Sequence, residues 1–440
     1  MANNYYNHKT RLNKTIRRII MVSLILSFFI ITPVLIFYAS GYTYDIKEKK
    51  IKKTGVLSID IKPRDAQILL NNVLIKKKIP VRLSGKIPGT YNLKIEKNGY
   101  KTWEKNILIS SNQTTYIKDI TLIKENLPLR VLENLENIVN IYGNNATNFL
   151  ILTHKENLFE IYNYNSEFEK TNLLLSFESK EEPKIIFSFF QNLAFIETQD
   201  NNKHYLINLD INPQVINIDL KNQSENLEIQ WTRNNNLAYL KNEDTVYKIE
   251  NNLVTLLTKA PSEITYVDDK ENLWFLDEKM FLINNNESEK KYFLNDKIEK
   301  IIEMDEKRII AQSDKETIVY KIENGQIGKK NYLPGKDLIF FDKNCLVNSD
   351  WEINNINSEA ETELINRGGY KINDVLSFDD EGNFLIKTTD KLLVFNPGYF
   401  ITTEMLNNSE IKNIITQTKK RTLFFFAKIG NQTGIFQLNY

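Results

Sequence analysis

Cysteine and histidine are nearly absent from these 440 residues, and each scarcity removes a class of chemistry. The single cysteine, Cys345, excludes an intramolecular disulfide, so the fold must be held by burial and by closure of its own chain. Three histidines, His8, His154 and His204, leave little material for a His-based metal centre or for a Ser/His or Cys/His catalytic unit. The sequence also lacks a phosphate-cradling Gly loop, a Cys-x-x-Cys pair and a nucleophile elbow. No cofactor or metal is expected, and the chain is read as a non-enzyme. With only 15 Gly and 10 Pro, and with Asn, Lys, Ile and Tyr frequent, the composition favours Asn-rich turns between β-prone runs.

At 42% hydrophobic and 26% charged residues, the chain is long enough for two or three folded units with real cores. Its net charge of +1 conceals an asymmetry, since residues 1–126 carry 23 basic against 8 acidic side chains and residues 127–440 carry 34 against 48. A basic segment near a bilayer is drawn to anionic headgroups or wall polymers over about 8 Å at physiological salt, whereas an acidic unit repels nucleic acid. The solvated-surface reading of the same charge is equally compatible with composition. No nucleic-acid partner is expected.

Ile19 to Ser40 is a run of 22 residues without a charge. As a helix it would extend roughly 33 Å, enough to cross a bilayer. Pro33 is tolerated in a membrane helix, and Tyr38, Tyr42 and Tyr44 suit the interfacial belt. Tyr38-Ala39-Ser40-Gly41 offers small residues for cleavage, but the apolar run far exceeds the about 7–15 residues of a signal peptide core. Lys9, Arg11, Lys14, Arg17 and Arg18 precede the run, and Lys47, Lys49, Lys50, Lys52 and Lys53 follow it. That tie is broken by Arg17 and Arg18, which abut the apolar stretch, while Asp45 and Glu48 dilute the far side. The expected layout is a short cytoplasmic tail at 1–18, a transmembrane helix at 19–40 and a juxtamembrane linker at 41–54. Residues 41–440 would then be extracytoplasmic, anchored to the cell membrane by a single pass.

Between 55 and 124 short strands are expected at Gly55 to Ile61, Ala66 to Leu70, Tyr91 to Glu96, Asn106 to Ile109 and Thr115 to Leu122. Tyr91, Leu93 and Ile95 alternate with Asn92, Lys94 and Glu96, which gives one buried and one wet face. Turns are supplied by Pro63 with Asp65, by Pro88-Gly89 and by Asn98-Gly99, and Trp103 suits a core. This spacing resembles the PEGA domain. Pro63-Arg64-Asp65-Ala66 stands at the family's signature turn, with Arg64 and Asp65 in place of its Glu and Gly. Ile79-Pro80-Val81-Arg82-Leu83 stands at its Thr-Pro-x-x-Leu step, with Ile79 for the Thr. Pro88-Gly89-Thr90-Tyr91 and Lys97-Asn98-Gly99-Tyr100 with Trp103 complete the match, over about 70 residues. The resemblance implies a non-catalytic module of bacterial surface proteins that aids contact with the envelope or with other proteins. Lys76, Lys77, Lys78, Arg82 and Lys86 form a cationic cluster and are the candidate envelope contact, to anionic lipid or a cell-wall polymer; the alternative is a solvated loop.

From residue 127 one pattern recurs: an apolar strand, a polar turn and a second apolar strand ending near Asn or Asp. Copies begin at Asn148, Asn192, Asn236, Asn272, Lys307, Asn344, Asn383 and Thr422, spaced on average about 39 residues apart, the length of a four-stranded propeller blade. Leu193-Ala194-Phe195-Ile196 is apolar throughout, as in a strand buried on both faces. Extra strands such as Gln214 to Leu220 and Glu228 to Thr232 lie between copies. The chain ends on a hairpin's second strand, so Leu127 to Leu132 is expected to complete the last blade from the front. Eight blades follow, or seven if the copy at Asn344 is irregular. Ile229-Gln230-Trp231-Thr232 and Ser377-Phe378-Asp379-Asp380-Glu381-Gly382-Asn383 resemble the Trp-Ser-Pro-Asp-Gly turn of TolB-like propellers, which implies a platform for protein or glycan partners.

The fold class is therefore an all-β ectodomain, a PEGA-like domain at 55–124 and a propeller at 127–440, behind one helix. Asp379 to Asn383 lacks the alternating spacing of a calcium loop and is read as a turn, as is Asp268-Asp269. His154 and His204 fall near hairpin bends, where exposed or hydrogen-bonded roles are expected. The expected function is a membrane-anchored binding or scaffold protein of the envelope. The alternative is a hydrolase or lyase acting on glycans or peptides with carboxylates at the propeller mouth.

Overall fold

The computed structural model describes residues 13–46, 49–143, 147–189, 192–200, 203–210, 212–219, 227–233, 237–251, 253–260, 264–285, 291–341, 344–407 and 410–440. His8, Lys9, Arg11 and Lys47 of the sequence reading lie outside them. Two compact units divide the chain, at residues 1–124 and 125–440.

The first unit opens with helix α1, Lys14–Ala39, which contains Pro33 and buries none of its side chains. Among the described residues it is the one helix long and apolar enough to cross a membrane. It closes where the Ser40 N–H donates to the Ile36 carbonyl at 2.8 Å, and Gly41, with φ of 78°, turns the chain out of the helix. Residues 41–54, expected as a linker, instead hold a hairpin of Tyr42–Asp45 paired with Lys50–Lys53.

The small β-domain follows as two sheets. One orders Val81–Lys86, Gly55–Lys62 and Thr114–Thr121, the last pair parallel. The other orders Val73–Leu74, Gln67–Leu70, Gly89–Glu96 and Trp103–Ile109. Strict alternation puts Leu57, Ile59 and Ile61 of one sheet, and Leu93, Ile95, Ile107 and Ile109 of the other, on buried faces beside Trp103. Asn71 and Asn72, at φ of 50° and 63°, form a two-residue hairpin turn, a left-handed task given to asparagine in a glycine-poor chain. The strands Val73–Leu74 and Val81–Lys86 and the hairpin at 42–53 are the elements that the alternation did not reveal.

The second unit is a ring of eight four-stranded antiparallel sheets, the blades of a β-propeller. Blades 1 to 7 span residues 138–178, 184–218, 227–259, 265–293, 300–334, 337–366 and 374–407. Blade 8 takes three strands from 410–439 and its outermost strand, Leu129–Val131, from the other end of the unit. The sequence copies are the second and third strands of each blade. The copy at Asn344 builds a regular blade 6.

First strands touch between blades 4 and 5, 6 and 7, and 8 and 1, and second strands are buried on both sides: Leu193, Ala194, Phe195 and Ile196 are at most 3% exposed. Between blades 1 and 8, Phe149, Phe424 and Ile415 share one core, with the two rings 5.2 Å apart. Burial of each such side chain contributes roughly 1.5–3 kcal/mol, so the ring closes on an apolar seam as well as on the strand pairing.

Candidate functional site

Turns between first and second strands gather on one face of the propeller, and aspartates shape several of them. The Asp268 carboxylate accepts from the Lys270 and Asn272 N–H groups at 2.9 and 2.8 Å and from Trp274 Nε1 at 2.9 Å. Asp305 accepts from the Lys307 and Arg308 N–H groups at 2.7 and 2.9 Å. Asp379 accepts from the N–H groups of Glu381 and Asn383 at 3.1 and 3.0 Å and from Asn383 Nδ2 at 2.6 Å. These carboxylates hold the backbone of the turns, as expected for Asp268 and Asp379. Burial raises the Asp379 pKa, and its hydrogen bonds from Asn383 oppose that.

On this face a cleft of about 440 Å³ opens between blades 3, 4, 5 and 6. Glu303 and Arg308 form its floor, 8% and 1% exposed. Glu303 accepts from Arg233 through Nε and Nη2 at 2.8 and 2.6 Å, and from Arg308 Nη2 at 2.8 Å. Arg308 also donates to the Asn357 carbonyl at 2.7 Å and lies 3.4 Å from Asp305. Such paired, hydrogen-bonded charges are what permits ionised groups at this depth.

The same network bridges the ring. Arg233 of blade 3 reaches Glu303 of blade 5 and lies 5.6 Å over the Phe340 ring of blade 6. Phe340 in turn meets Phe189 of blade 2 at 5.5 Å. Side chains from blades 2, 3, 5 and 6 therefore converge over the central axis at this face. The cleft is lined by the cations Arg233, Lys307 and Arg308 and by five carboxylates, those of Asp269, Glu303, Asp305, Glu306 and Glu359. Lys307 bonds to Glu359, and Lys270 reaches Glu306 at 3.3 Å. Its charge balance is acidic, and its floor charges are occupied by one another.

First strands begin at the opposite face. There Asp337 of blade 6 and Asp374 of blade 7 start adjacent inner strands. Burial pushes the Asp374 carboxyl up to about 6, Lys387 and the Val375 N–H oppose this, and Asp337 adds to it. Asp337 is itself raised, by burial first and then by Asp350. Lys300 begins the inner strand of blade 5, and burial lowers its pKa against the pull of Glu228.

The sequence-predicted cations are strung out along an edge of the small domain. Lys76, Lys77 and Lys78 are exposed in the loop after Val73–Leu74, Arg82 is exposed on the edge strand Val81–Lys86, and Lys86 is half-buried at its end. Arg82 pairs with Ser58 and Lys86 with Gly55, so the strand separates the loop lysines from Lys86 by several residues. Lysines on an edge strand also discourage pairing with other chains. His154 stacks on Phe159 at 4.0 Å. His204 differs from the exposed or hydrogen-bonded role expected of it: it is 1% exposed, stacks on Phe195 at 5.7 Å and lies 3.6 Å from Glu197. Burial lowers its pKa, against Glu197. Among the described residues no group of His, Cys, Asp and Glu has the arrangement to hold a metal ion.

Arg233, Glu303 and Arg308 escaped the sequence reading. For Glu303 and Arg308 the signal was there in Lys-Ile-Ile-Glu-Met and Arg-Ile-Ile-Ala-Gln, where a charge sits within or at the head of an apolar strand.

Residues 54–126 match the PEGA domain family, so the small β-domain is a PEGA domain. No curated protein matches the chain in sequence. Among solved structures, the propeller domain of Cps50 (Swd1) from Myceliophteria thermophila is 10% identical, with 68% of this chain and 99% of that chain covered at a TM-score of 0.38. The Pan2 WD40 domain of Neurospora crassa is 12% identical, with 58% and 87% covered at 0.37. A streptogramin B lyase is 11% identical, with 71% and 96% covered, also at 0.37. The propeller itself is established by strand order and ring closure.

Proposed function

We propose that the chain is a membrane-anchored, extracytoplasmic binding or scaffold protein of the bacterial envelope. In this reading α1 is the anchor, the PEGA domain contacts membrane or wall, and the propeller recognises a protein or glycan. The observation that carries it is the cleft floored by Arg233, Glu303 and Arg308, a preformed concave surface whose buried charges are locked to each other. Such a floor offers shape and a fixed field to a partner and leaves no free acid and base to share a proton. Anchoring is supported by the exposed apolar surface of α1, and envelope contact by 13 basic against 5 acidic side chains over 55–124.

The test has two arms. Residues 47–440 and 127–440 are sedimented with insoluble cell wall and with anionic liposomes; the longer chain pellets in a salt-sensitive way and the shorter does not. A photo-crosslinking residue at Ser358 in the cleft of the full chain then captures a partner in cells. Failure of the longer chain to pellet with either material removes envelope contact from the proposal.

Asp337 and Asp374 favour a second reading, that of a hydrolase or lyase acting on glycans or peptides. Two carboxyls raised by burial on adjacent inner strands are a place where an acid and a base could divide. If full-length protein releases soluble fragments from envelope material and D374N stops the release, catalysis replaces scaffolding. If wild type releases none, this reading is retired.

A further inference from the structure

We infer that the hairpin Tyr42–Asp45 with Lys50–Lys53 is a membrane-interfacial element, with one face seated among phospholipid headgroups and the outer ends of the acyl chains. The inference rests on α1 being a membrane span. In the antiparallel register, Tyr42 faces Lys53 and Tyr44 faces Ile51, while Thr43 faces Lys52 and Asp45 faces Lys50. Partners directly across a ladder share a side, so Tyr42, Tyr44, Ile51 and Lys53 form one face and Thr43, Asp45, Lys50 and Lys52 the other.

The two faces have different surroundings. Asp45 is 5% exposed, pairs with Lys52 at 2.9 Å, and its charge helps to raise the pKa of Tyr91, after burial. That face therefore lies against the PEGA domain. On the other face Tyr44 is 57% and Ile51 59% exposed, and Ile46, just past the strand, is 81% exposed. Side chains of this size and polarity left open together mark an interaction surface.

Position identifies what covers it. The hairpin begins three residues after the last residue of α1, and the Phe37 ring within the helix meets the Tyr42 ring edge-on at 5.6 Å. Return to the helix end is fixed as well, because Thr54 donates to the Gly41 carbonyl through N–H at 2.7 Å and through Oγ1 at 2.8 Å. Strands of four residues extend about 13 Å, so Tyr44 and Ile51 stay within roughly 10 Å of the point where the helix leaves the hydrocarbon. The polar interface on each side of a bilayer is about 5–8 Å thick, comparable with that reach. Tyrosine is an interfacial residue there, and Lys49 in the turn and Lys53 on the same face complement anionic headgroups. Lys53 also lies 5.6 Å over the Tyr42 ring, an ammonium above an aromatic anchor.

The test places one fluorophore on the full chain in liposomes. Cys345 is fully buried, so Ile51→Cys labelled with an environment-sensitive dye reports the open face, and Asn98→Cys, on an exposed turn of the PEGA domain, reports water. Vesicles are made of phosphatidylcholine alone or with phosphatidylglycerol, each with or without lipids brominated near the headgroup end of the acyl chain. The expected result is a blue-shifted dye at position 51 that loses most of its emission to the brominated lipid, more strongly with phosphatidylglycerol, and a dye at 98 that is unaffected. A carbonate-resistant chain whose dye at 51 reads as water overturns the inference and leaves the anchor standing. Release of the chain by carbonate removes the anchor reading itself, and this inference with it. Disulfide formation between two Ile51→Cys chains without lipid quenching assigns the face to a second copy and overturns it too.

Discussion

Single side chains in this propeller set opposing demands on its stability, and Asp374 is one where the sign can be worked out. Its carboxyl is raised from 3.8 to about 6 by burial, more than Lys387 and the Val375 N–H can offset. Folding therefore favours the protonated acid. Well below pH 3.8 the group is neutral in both states and costs nothing; the cost grows as pH rises from 3.8 to about 6, where only the unfolded chain ionises freely, and is complete above 6. Asp374→Asn keeps an acceptor for the Val375 N–H, now at 2.9 Å. Thermal melts of D374N against wild type should coincide near pH 3, begin to separate near pH 4 and reach the full gain in Tm for the variant above pH 6. A lower Tm at pH 7.5 would show that Lys387 outweighs burial. Glu303 has the opposite role, since it neutralises Arg308, only 1% exposed. Glu303→Gln leaves that guanidinium and Arg233 without their counter-charge and is expected to cost about 3–5 kcal/mol in chemical denaturation. Adding Arg308→Met should recover part of the loss; a double variant as unstable as the single one would mean that Arg308 is held by Asn357 and Asp305 instead.

At the scale of elements, the strand that completes blade 8 has only three residues. Leu129–Val131 pairs with the strand Gln432–Asn439, Leu129 opposite Gln437 and Val131 opposite Ile435. Tyr440 adds a second fastening: 1% exposed, it stacks on Phe378 of the preceding turn at 3.9 Å, and its hydroxyl donates to the Phe378 carbonyl. Changing Leu129, Arg130 and Val131 to a Gly-Ser-Gly stretch should remove the outermost strand of blade 8. Amide hydrogen exchange would then rise first in Gln432–Asn439, before blades 3 to 5, and Tm would fall; uniform protection would place the fastening in the apolar seam around Phe149 and Phe424 instead. Both this latch and the eight-blade count were legible in sequence because period-2 alternation and a repeat near 39 residues survive without any knowledge of contacts. The Tyr42–Lys53 hairpin was not, because four-residue strands rich in lysine have no buried face of their own to print a pattern. The pairing of Arg233 with Glu303 was hidden for another reason: Arg233 follows the first strand of blade 3 while Glu303 and Arg308 stand on neighbouring strands of blade 5, and only ring closure brings Arg233 to them.

For the whole molecule, the first 126 residues carry an excess of 15 positive charges and the rest an excess of 14 negative ones. On the proposed reading the basic unit would be drawn to an anionic surface and the acidic one repelled by it, which requires an oriented chain. The lone thiol makes orientation measurable. Cys345 is 0% exposed and its pKa is raised, by burial first and by the nearby Glu303, so the folded chain offers no thiolate to a maleimide. A cysteine placed at Asn98 or Ser358 is then the only reactive one. In intact cells both should be modified by a membrane-impermeant maleimide, with no further gain on permeabilisation, if residues after α1 face outwards. Labelling that appears only after permeabilisation would reverse the orientation. Cys345 itself should react only on unfolding, in step with loss of tertiary structure, because the inner strands of blade 6 cannot admit the reagent while the ring is closed.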